Sequence, residues 1–442
     1  MRALAAALFG RSRRSPRGAG PPPTPPAAST ELRGDPAFNV TDLDDTTTDS
    51  MGVTQRGWYD RMLNSLAISG TSGLDSEFDS ASTRTWNRTG QVQATSYLLA
   101  FRYTGHLALL DEAIRLMELA YARLAATPYD ANHYRWAGYD NDLDVPMAVG
   151  YMACVMWAAH HNRDLTSPAH GAAHYGTIAD KYYAYFADDF FQRDEPAAEN
   201  PENQDKWVQN SGNLPNILKW QQHSVVNNMR LCWYMNRMGG LPAGAGRAFT
   251  WTAAQFRDAV EWMIDTKWGQ HVTGDIGFGD RTVVMYPHSA NNTTRTGPSG
   301  SLQYTTYVRY EVTALIDLML EGADARLGDA FFTLWANSWA DFVCDDDPDA
   351  TGNEFASDIG GGDGTTKAGP LGFDHDSFRG RSNAGTQVLH GGSAYLSGWD
   401  SRERILAYMG PLYPVSGTAA TPNRPAFAGS RVFASFYHGL GE

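Results

Sequence analysis

The chain has 442 residues, of which 42% are hydrophobic and 12% aromatic, and its formal net charge is −14 at pH 7. This is the composition of a globular protein, and an acidic chain without a basic stripe is not expected to bind nucleic acid. No apolar run reaches the length of a transmembrane helix, so we expect no membrane partner.

Residues 1–50 have the composition of a leader followed by a disordered linker. Arg2 precedes a short apolar run at Ala3–Phe9, and a basic stretch and a proline-rich segment follow. A basic residue ahead of an apolar run is the pattern of a secretory signal peptide, although this run is short. We therefore expect a secreted or periplasmic protein whose folded part begins near residue 51.

The hydrophobic pattern downstream is helical almost throughout. Between His106 and Ala126, apolar residues recur at spacings of three and four, which places them on one helix face. The Thr104–Gly105 break separates this helix from Gln91–Tyr103. The further predicted helices are Pro146–His161, Ala172–Phe191, Leu214–Met238, Ala253–Trp268, Thr305–Glu321, Arg326–Val343 and Trp399–Met409, and the one strand-like run is Thr282–Tyr286.

Helical hairpins in series, none of which can bury its apolar face alone, indicate a stacked architecture. Long loops rich in glycine and asparagine interrupt the hairpins at 193–213, 274–303 and 345–397. Because such loops commonly carry binding groups, we predict an all-α fold, an (α/α) toroid or incomplete barrel, with its long loops on one rim. The toroid is expected to span 51–344, and the Gly-rich residues 345–442, with a late helix, to close it.

The first candidate for chemistry is the acidic and aromatic segment at 136–144. Trp136, Tyr139 and Asp142 are suited to binding sugar rings and hydroxyls at a helix entrance. Together with Glu311, Asp142 could also supply the two carboxylates of a glycoside hydrolase. Helix capping and loop solvation are the alternative role of these acidic residues.

The second candidate is the Trp220-Gln221-Gln222-His223-Ser224 run inside a predicted helix. An amide and an imidazole on one turn, Gln222 and His223, can stabilise a carboxylate and move a proton. A buried histidine beside a capping glutamine is the alternative. Trp220 and Asn227 are included as substrate-binding residues.

The third candidate combines local positive charge with a cluster of tyrosines. Arg281 and Arg295, with His288 between them, lie in a stretch from Lys267 to Arg309 in which basic residues outnumber acidic ones. Such a stretch could form a locally cationic cleft for an acidic polysaccharide.

The tyrosines are Tyr304, Tyr307 and Tyr310, at the start of a predicted helix. On a helix, Tyr310 shares a face with Tyr307, whereas Arg309 points to another side, although so near the helix start it could still reach a cleft. Stacking of these tyrosines in the core is the alternative to a role in a cleft.

Two of these segments resemble motifs of the α/α-toroid alginate lyases. The Gln-Gln-His-Ser run that contains His223 is similar to their Asn-Asn-His-Ser motif, in which a helix presents an amide and a histidine to the substrate carboxylate. Tyr310 begins a Tyr-x-x-x-Ala-Leu-x-x-Leu sequence that also matches theirs. The order of the two motifs agrees, and the predicted hairpins extend over about residues 85–345.

The resemblance implies a polysaccharide lyase that acts by β-elimination on alginate, glucuronan or another polyuronate. Tyr310 and His223 would share the proton transfers, and Gln222 would neutralise the uronate carboxylate. Gln222 stands where the family has asparagine, and Gln303 stands where it has an arginine. Arg309, Arg295 and Arg281 are the candidates to replace that arginine.

Metal ligands and cofactor motifs are weak or absent. The acidic runs at 345–349 and 374–376 lack a zinc or EF-hand spacing and are interpreted as turns. The three cysteines, Cys154, Cys232 and Cys344, are expected to be buried free thiols. We therefore expect no cofactor, and the alternatives to a lyase are the hydrolase that uses Asp142 and Glu311 and a glycan-binding toroid without catalysis.

Overall fold

The computed structural model describes residues 32–69, 91–126, 128–130, 133–134, 145–186, 222–238, 305–340, 344, 392–401, 403–409 and 424–440. Within these ranges the protein is mostly helical, with one short antiparallel hairpin, β1 (Pro128–Asp130) and β2 (His133–Tyr134). The α-helices are α1 (Gln55–Ser69), α2 (Gln91–Thr104), α3 (Leu107–Ala126), α4 (Val145–His161), α5 (His174–Ala184), α6 (Gln222–Arg237), α7 (Thr305–Leu320), α8 (Asp329–Ser338), α9 (Arg404–Met409) and α10 (Arg424–Tyr437). Two 3₁₀ helices lie at Val40–Asp42 and Ser393–Trp399.

The predicted all-α class is confirmed, and several helix limits agree with the sequence pattern. The break between α2 and α3 occurs at Gly105, whose φ of 65° suits glycine. The three cysteines are buried and free, as expected. The predicted helix at Ala253–Trp268 and the strand-like run at Thr282–Tyr286 lie outside the described residues.

Four helices form a closed circuit, in which α2 contacts α4, α4 contacts α6, α6 contacts α7, and α7 contacts α2. They run in the same direction, because residues near their first turns meet one another and residues nearer their last turns do the same. Helix α3 packs on α2 and α4, and α5 packs on α4. One face of each circuit helix therefore points toward the other three.

Residues 32–50 belong to the folded body, which corrects the predicted boundary at residue 50. Leu32 is fully buried, and Asn162 at the end of α4 binds the backbone on both sides of Arg33. Asp49 accepts a hydrogen bond from the Trp58 indole and forms an ion pair with Arg431. Buried polar contacts of this kind order a segment that its composition assigned to a linker.

The predicted late helix at Trp399–Met409 ends where it was expected, but its predicted start is wrong. The 3₁₀ helix ends at Trp399, and α9 begins only at Arg404. The Asp400 carboxylate accepts a hydrogen bond from the Ile405 N–H, and Glu403 has a φ of 55°. This turn starts a new helix instead of continuing the first.

No helix among the described residues has both the length and the apolar character needed to cross a membrane.

Candidate active site

The first turns of the circuit helices meet in a small apolar cluster. Val92 of α2, Met147 of α4 and Tyr310 of α7 pack together with Ala426 of α10. Each is at most 4% exposed. The tyrosine that the sequence singled out thus lies where four helices from distant parts of the chain begin.

His223, in the first turn of α6, faces the same place. Its ring centroid lies 6.1 Å from that of Tyr310, with the two planes tilted by 50°. His223 is 0% exposed and Tyr310 is 2% exposed. The structure therefore brings together the two residues expected to share the proton transfers. Their burial is also what the alternative interpretation, packing in the core, predicts, and that they face a substrate cleft stays a prediction.

The side chain of Arg309 contacts Tyr310 at the same place. Its Nη2 donates a hydrogen bond to the Tyr310 hydroxyl at 2.5 Å, and its Cζ lies 4.6 Å from the Tyr310 ring centroid. Although its Cβ lies on another side of the helix, the long Arg309 side chain folds back over the neighbouring ring, so it lies beside Tyr310. A guanidinium in this position favours the ionised form of a phenol, which suits a tyrosine that exchanges protons.

We call Val92, Met147, His223, Arg309 and Tyr310 the tyrosine layer. Among the residues that the structure describes, no carboxylate forms an ion pair with Arg309. Its Nε also has no hydrogen-bond partner there. The layer thus carries a cation whose observed polar partner is a phenol.

Asn227, which the sequence suggested as a substrate-binding residue, is a buried side chain that contacts the backbone of its own helix. Its Nδ2 donates to the His223 backbone carbonyl at 2.8 Å, and it is 1% exposed. A Cβ on Gly150 would lie 2.7 Å from the Asn227 carbonyl oxygen, so α4 and α6 approach closely here. This contact holds the backbone of α6 close to α4 near the turn that carries His223.

The remaining site candidates are described only in part or not at all. Gln222 opens α6 and Tyr307 lies in α7, but their side chains are outside the description. Glu311, the proposed hydrolase carboxylate, is fully buried in α7. The candidates that lie outside the described residues are Trp136, Tyr139, Asp142, Trp220, Arg281, His288, Arg295 and Tyr304.

A second cluster, absent from the sequence-based expectations, fills the circuit about two turns further along. Arg102 Nη2 donates to Asp317 Oδ1 at 2.7 Å and to Glu321 Oε1 at 2.6 Å. Arg230 Nε donates to Asp317 Oδ2 at 2.8 Å, and the Tyr234 hydroxyl donates to the same oxygen at 2.7 Å. We call these five residues the ion-pair layer.

The ion-pair layer is fully enclosed, since the side chains of its two arginines and two carboxylates are 1–3% exposed. Burial opposes ionisation of Asp317, but Arg230 and Arg102 together hold the pKa of its carboxyl below the ordinary value. Burial and the adjacent Asp317 raise the pKa of Tyr234 well above its ordinary value. The layer therefore remains two ion-paired arginines and carboxylates with a neutral phenol.

No cluster of three or more potential metal ligands occurs among the described residues. Comparison of the chain with protein-family models, with curated proteins and with solved structures gave no match.

Proposed function

We propose that this chain is a polysaccharide lyase that cleaves a uronate-containing polysaccharide, such as alginate or glucuronan, by β-elimination. One observation carries the proposal: His223 and the Arg309–Tyr310 pair, far apart in the sequence, meet at the first turns of parallel helices. A phenol, an imidazole and a guanidinium are the groups that this elimination requires.

The finer architecture is part of the proposal. A closed circuit of parallel helices with further helices packed outside it, α3 on α2 and α4 and α5 on α4, is the arrangement expected of an (α/α) toroid. In such a fold the tyrosine layer lies at one end of the inner ring.

The proposed chemistry begins at C5 of the uronic acid. The C5 proton is only weakly acidic while the adjacent carboxylate is ionised, so donors to that carboxylate stabilise the charge that develops. Tyr310 or His223 removes the proton, the C4–O4 bond breaks, and a C4=C5 double bond forms. If Tyr310 is the base, Arg309 stabilises its phenolate until the same proton passes to the departing O4. If His223 is the base, Tyr310 donates its own proton to O4, and Arg309 stabilises the resulting phenolate until the proton held by His223 is passed back to it.

Burial places one requirement on this mechanism. Because His223 and Tyr310 are both almost fully buried, the protein must open before a polymer can reach them. We propose export as well, in keeping with the pattern at the start of the chain, since a polymeric uronate is met outside the cell.

The test is incubation of the purified full chain with alginate and, separately, with glucuronan. A lyase produces an unsaturated end that absorbs ultraviolet light, and the absorbance should grow with time. New reducing ends without absorbance would establish the hydrolase instead, and binding without either product would establish a glycan-binding protein.

Tyr103→Phe provides a matched control for any tyrosine variant used in this assay. Tyr103 lies at the other end of α2, where its ring stacks on Phe436 with centroids 5.5 Å apart. Its buried hydroxyl has no hydrogen-bond partner among the described residues. Tyr103→Phe should therefore keep wild-type activity.

A further inference from the structure

We propose that Gly392 is a positioning residue for the Arg309–Tyr310 pair, and that the 3₁₀ helix it precedes braces that pair from outside the circuit. The kinetic part of this inference rests on the proposed function, whereas its spectroscopic test does not. Nothing in the sequence motifs pointed to Gly392, because it comes from a segment distant from both helices of the site.

Space, and not backbone conformation, accounts for a glycine at position 392. Its φ of −65° and ψ of −36° are open to any residue. A Cβ there, however, would lie 2.7 Å from the Arg309 carbonyl oxygen and 3.0 Å from the Arg309 Cβ. It would also lie 2.8 Å from Val92 Cγ1. The backbone of Gly392 therefore rests directly against α7 and α2 at the tyrosine layer.

Neither side of this contact can yield easily. On the helix side, the Arg309 carbonyl also accepts a hydrogen bond from the Thr313 hydroxyl at 3.2 Å, within the continuous turns of α7. On the other side, Trp399 at the end of the 3₁₀ helix donates from its indole to Asp329 at 2.9 Å. A methyl group at position 392 must therefore displace the Arg309 backbone or the brace itself.

Displacement of the Arg309 backbone moves the base of the side chain that contacts Tyr310. The guanidinium both stacks on the ring and donates to the hydroxyl at 2.5 Å, and hydrogen bonds weaken steeply with distance and angle. A weaker cationic contact makes the phenol harder to ionise. The expected consequence of Gly392→Ala is thus a tyrosine that ionises at higher pH in a protein that still folds.

The experiment compares Gly392→Ala with Gly398→Ala, which lies in the same 3₁₀ helix. A Cβ at Gly398 would lie 2.7 Å from the side-chain ring of His438, which does not belong to the tyrosine layer. We expect Gly392→Ala to lower kcat by about 10²-fold with a small change in KM, as small misplacements of reacting groups do. The pH–rate limb assigned to the tyrosine should move to higher pH, whether that residue acts as acid or base. Gly398→Ala should leave the limb unchanged.

A ligand-free measurement separates this inference from the proposed function. In protein labelled with ¹³Cζ-tyrosine, the Tyr310 resonance is assigned with Tyr310→Phe and titrated by NMR. The Tyr310 signal should titrate at higher pH in Gly392→Ala than in wild type, even if no polyuronate is cleaved. An unchanged titration, or equal kinetic losses in the two alanine variants, would overturn the positioning role.

Adding Val92→Ala to Gly392→Ala removes one of the two groups that the new methyl meets. The overlap of the new methyl group with the Arg309 backbone carbonyl is still present in the double variant. The double variant should therefore keep the shifted Tyr310 titration. Restoration of the wild-type titration would show that Gly392 serves packing around Val92 alone, and this result would also overturn the inference.

Discussion

The tyrosine layer and the ion-pair layer lie on the same circuit of helices but differ in the partners of their buried arginines. Asp317 follows Tyr310 on α7 by seven residues, which is about 10 Å of helix. In the ion-pair layer each buried arginine binds a carboxylate. In the tyrosine layer Arg309 binds a phenol, and no described carboxylate neutralises it.

This difference indicates which layer stabilises the fold and which is suited to chemistry. A buried cation that is paired with a carboxylate holds its neighbours in one arrangement, and removing that carboxylate leaves a costly unpaired charge. A cation beside a titratable group alters the proton affinity of that group, as functional sites require. Substitutions in the ion-pair layer should therefore change stability, and substitutions in the tyrosine layer should change turnover.

The largest expected effect is that of Tyr310→Phe on activity. Loss of the hydroxyl removes the proton-transferring atom while the ring continues to pack on Val92 and Met147, so kcat should fall by ~10²–10⁴-fold. Loss of the hydrogen bond from Arg309 should also cost about 1–3 kcal/mol of stability, which does not account for a loss of turnover in the folded fraction. Steady-state kinetics on alginate or glucuronan, with urea unfolding of the same samples, measure both.

Tyr234→Phe is the matched comparison in the ion-pair layer. Its hydroxyl donates to Asp317, so its loss should cost about 1–3 kcal/mol of stability. The folded fraction should nevertheless turn over at the wild-type rate. Equal losses of turnover in the two variants would remove the distinction between the layers.

Asp317→Asn should have the largest effect on stability. The substitution keeps the shape of the side chain but leaves Arg230 without its carboxylate in a fully buried site, which costs about 3–5 kcal/mol. The free energy of unfolding in urea measures this loss. Asp180→Asn is the control, because the exposed Asp180–Arg163 pair should contribute only about 0–1 kcal/mol.

The helices were predictable from sequence where their signals are local. Apolar spacing and Gly105 locate α2 and α3 to within one residue of the observed limits. The pairing of His223 with Tyr310 was anticipated only through the motif resemblance. The contact of the Arg309 guanidinium with the Tyr310 ring was not anticipated, because helical register fixes where a Cβ points but not where a long side chain ends.

Other features depend on contacts that no local pattern encodes. The ion-pair layer draws its members from α2, α6 and α7, so neither spacing nor composition indicates it. Helix α10 was missed because Pro425 and Gly429 lower helix propensity, although proline is tolerated in a first turn. Gly392 is informative only beside Arg309, which is why a close approach between distant segments escaped the sequence.

Lower pH should weaken the ion-pair layer and so reduce the free energy of unfolding, by less than the substitution of Asp317 does. The pKa of Asp317 is below its ordinary value of 3.8 in the folded protein, so its stabilising contribution is present above that pH and is lost as pH falls through the folded pKa. Wild type should therefore lose more stability than Asp317→Asn between pH 6 and pH 3 in urea unfolding. Parallel declines for the two proteins would contradict the assignment of this acid sensitivity to Asp317.

The smallest expected effect is that of Thr95→Val, which tests whether the layers are independent. Thr95 lies on α2 between Val92 and Arg102, and its hydroxyl is 3.4 Å from Arg230 Nη1. Valine keeps the branched shape, and the contact is long, so the free energy of unfolding should fall by about 0.5–1.5 kcal/mol at most. Because the partner of the hydroxyl among the described residues is Arg230 of the ion-pair layer, kcat should remain at the wild-type value. A fall in kcat beyond a few-fold in fully folded Thr95→Val would mean that strain passes along α2 from one layer to the other, and the two would then have to be treated as one site.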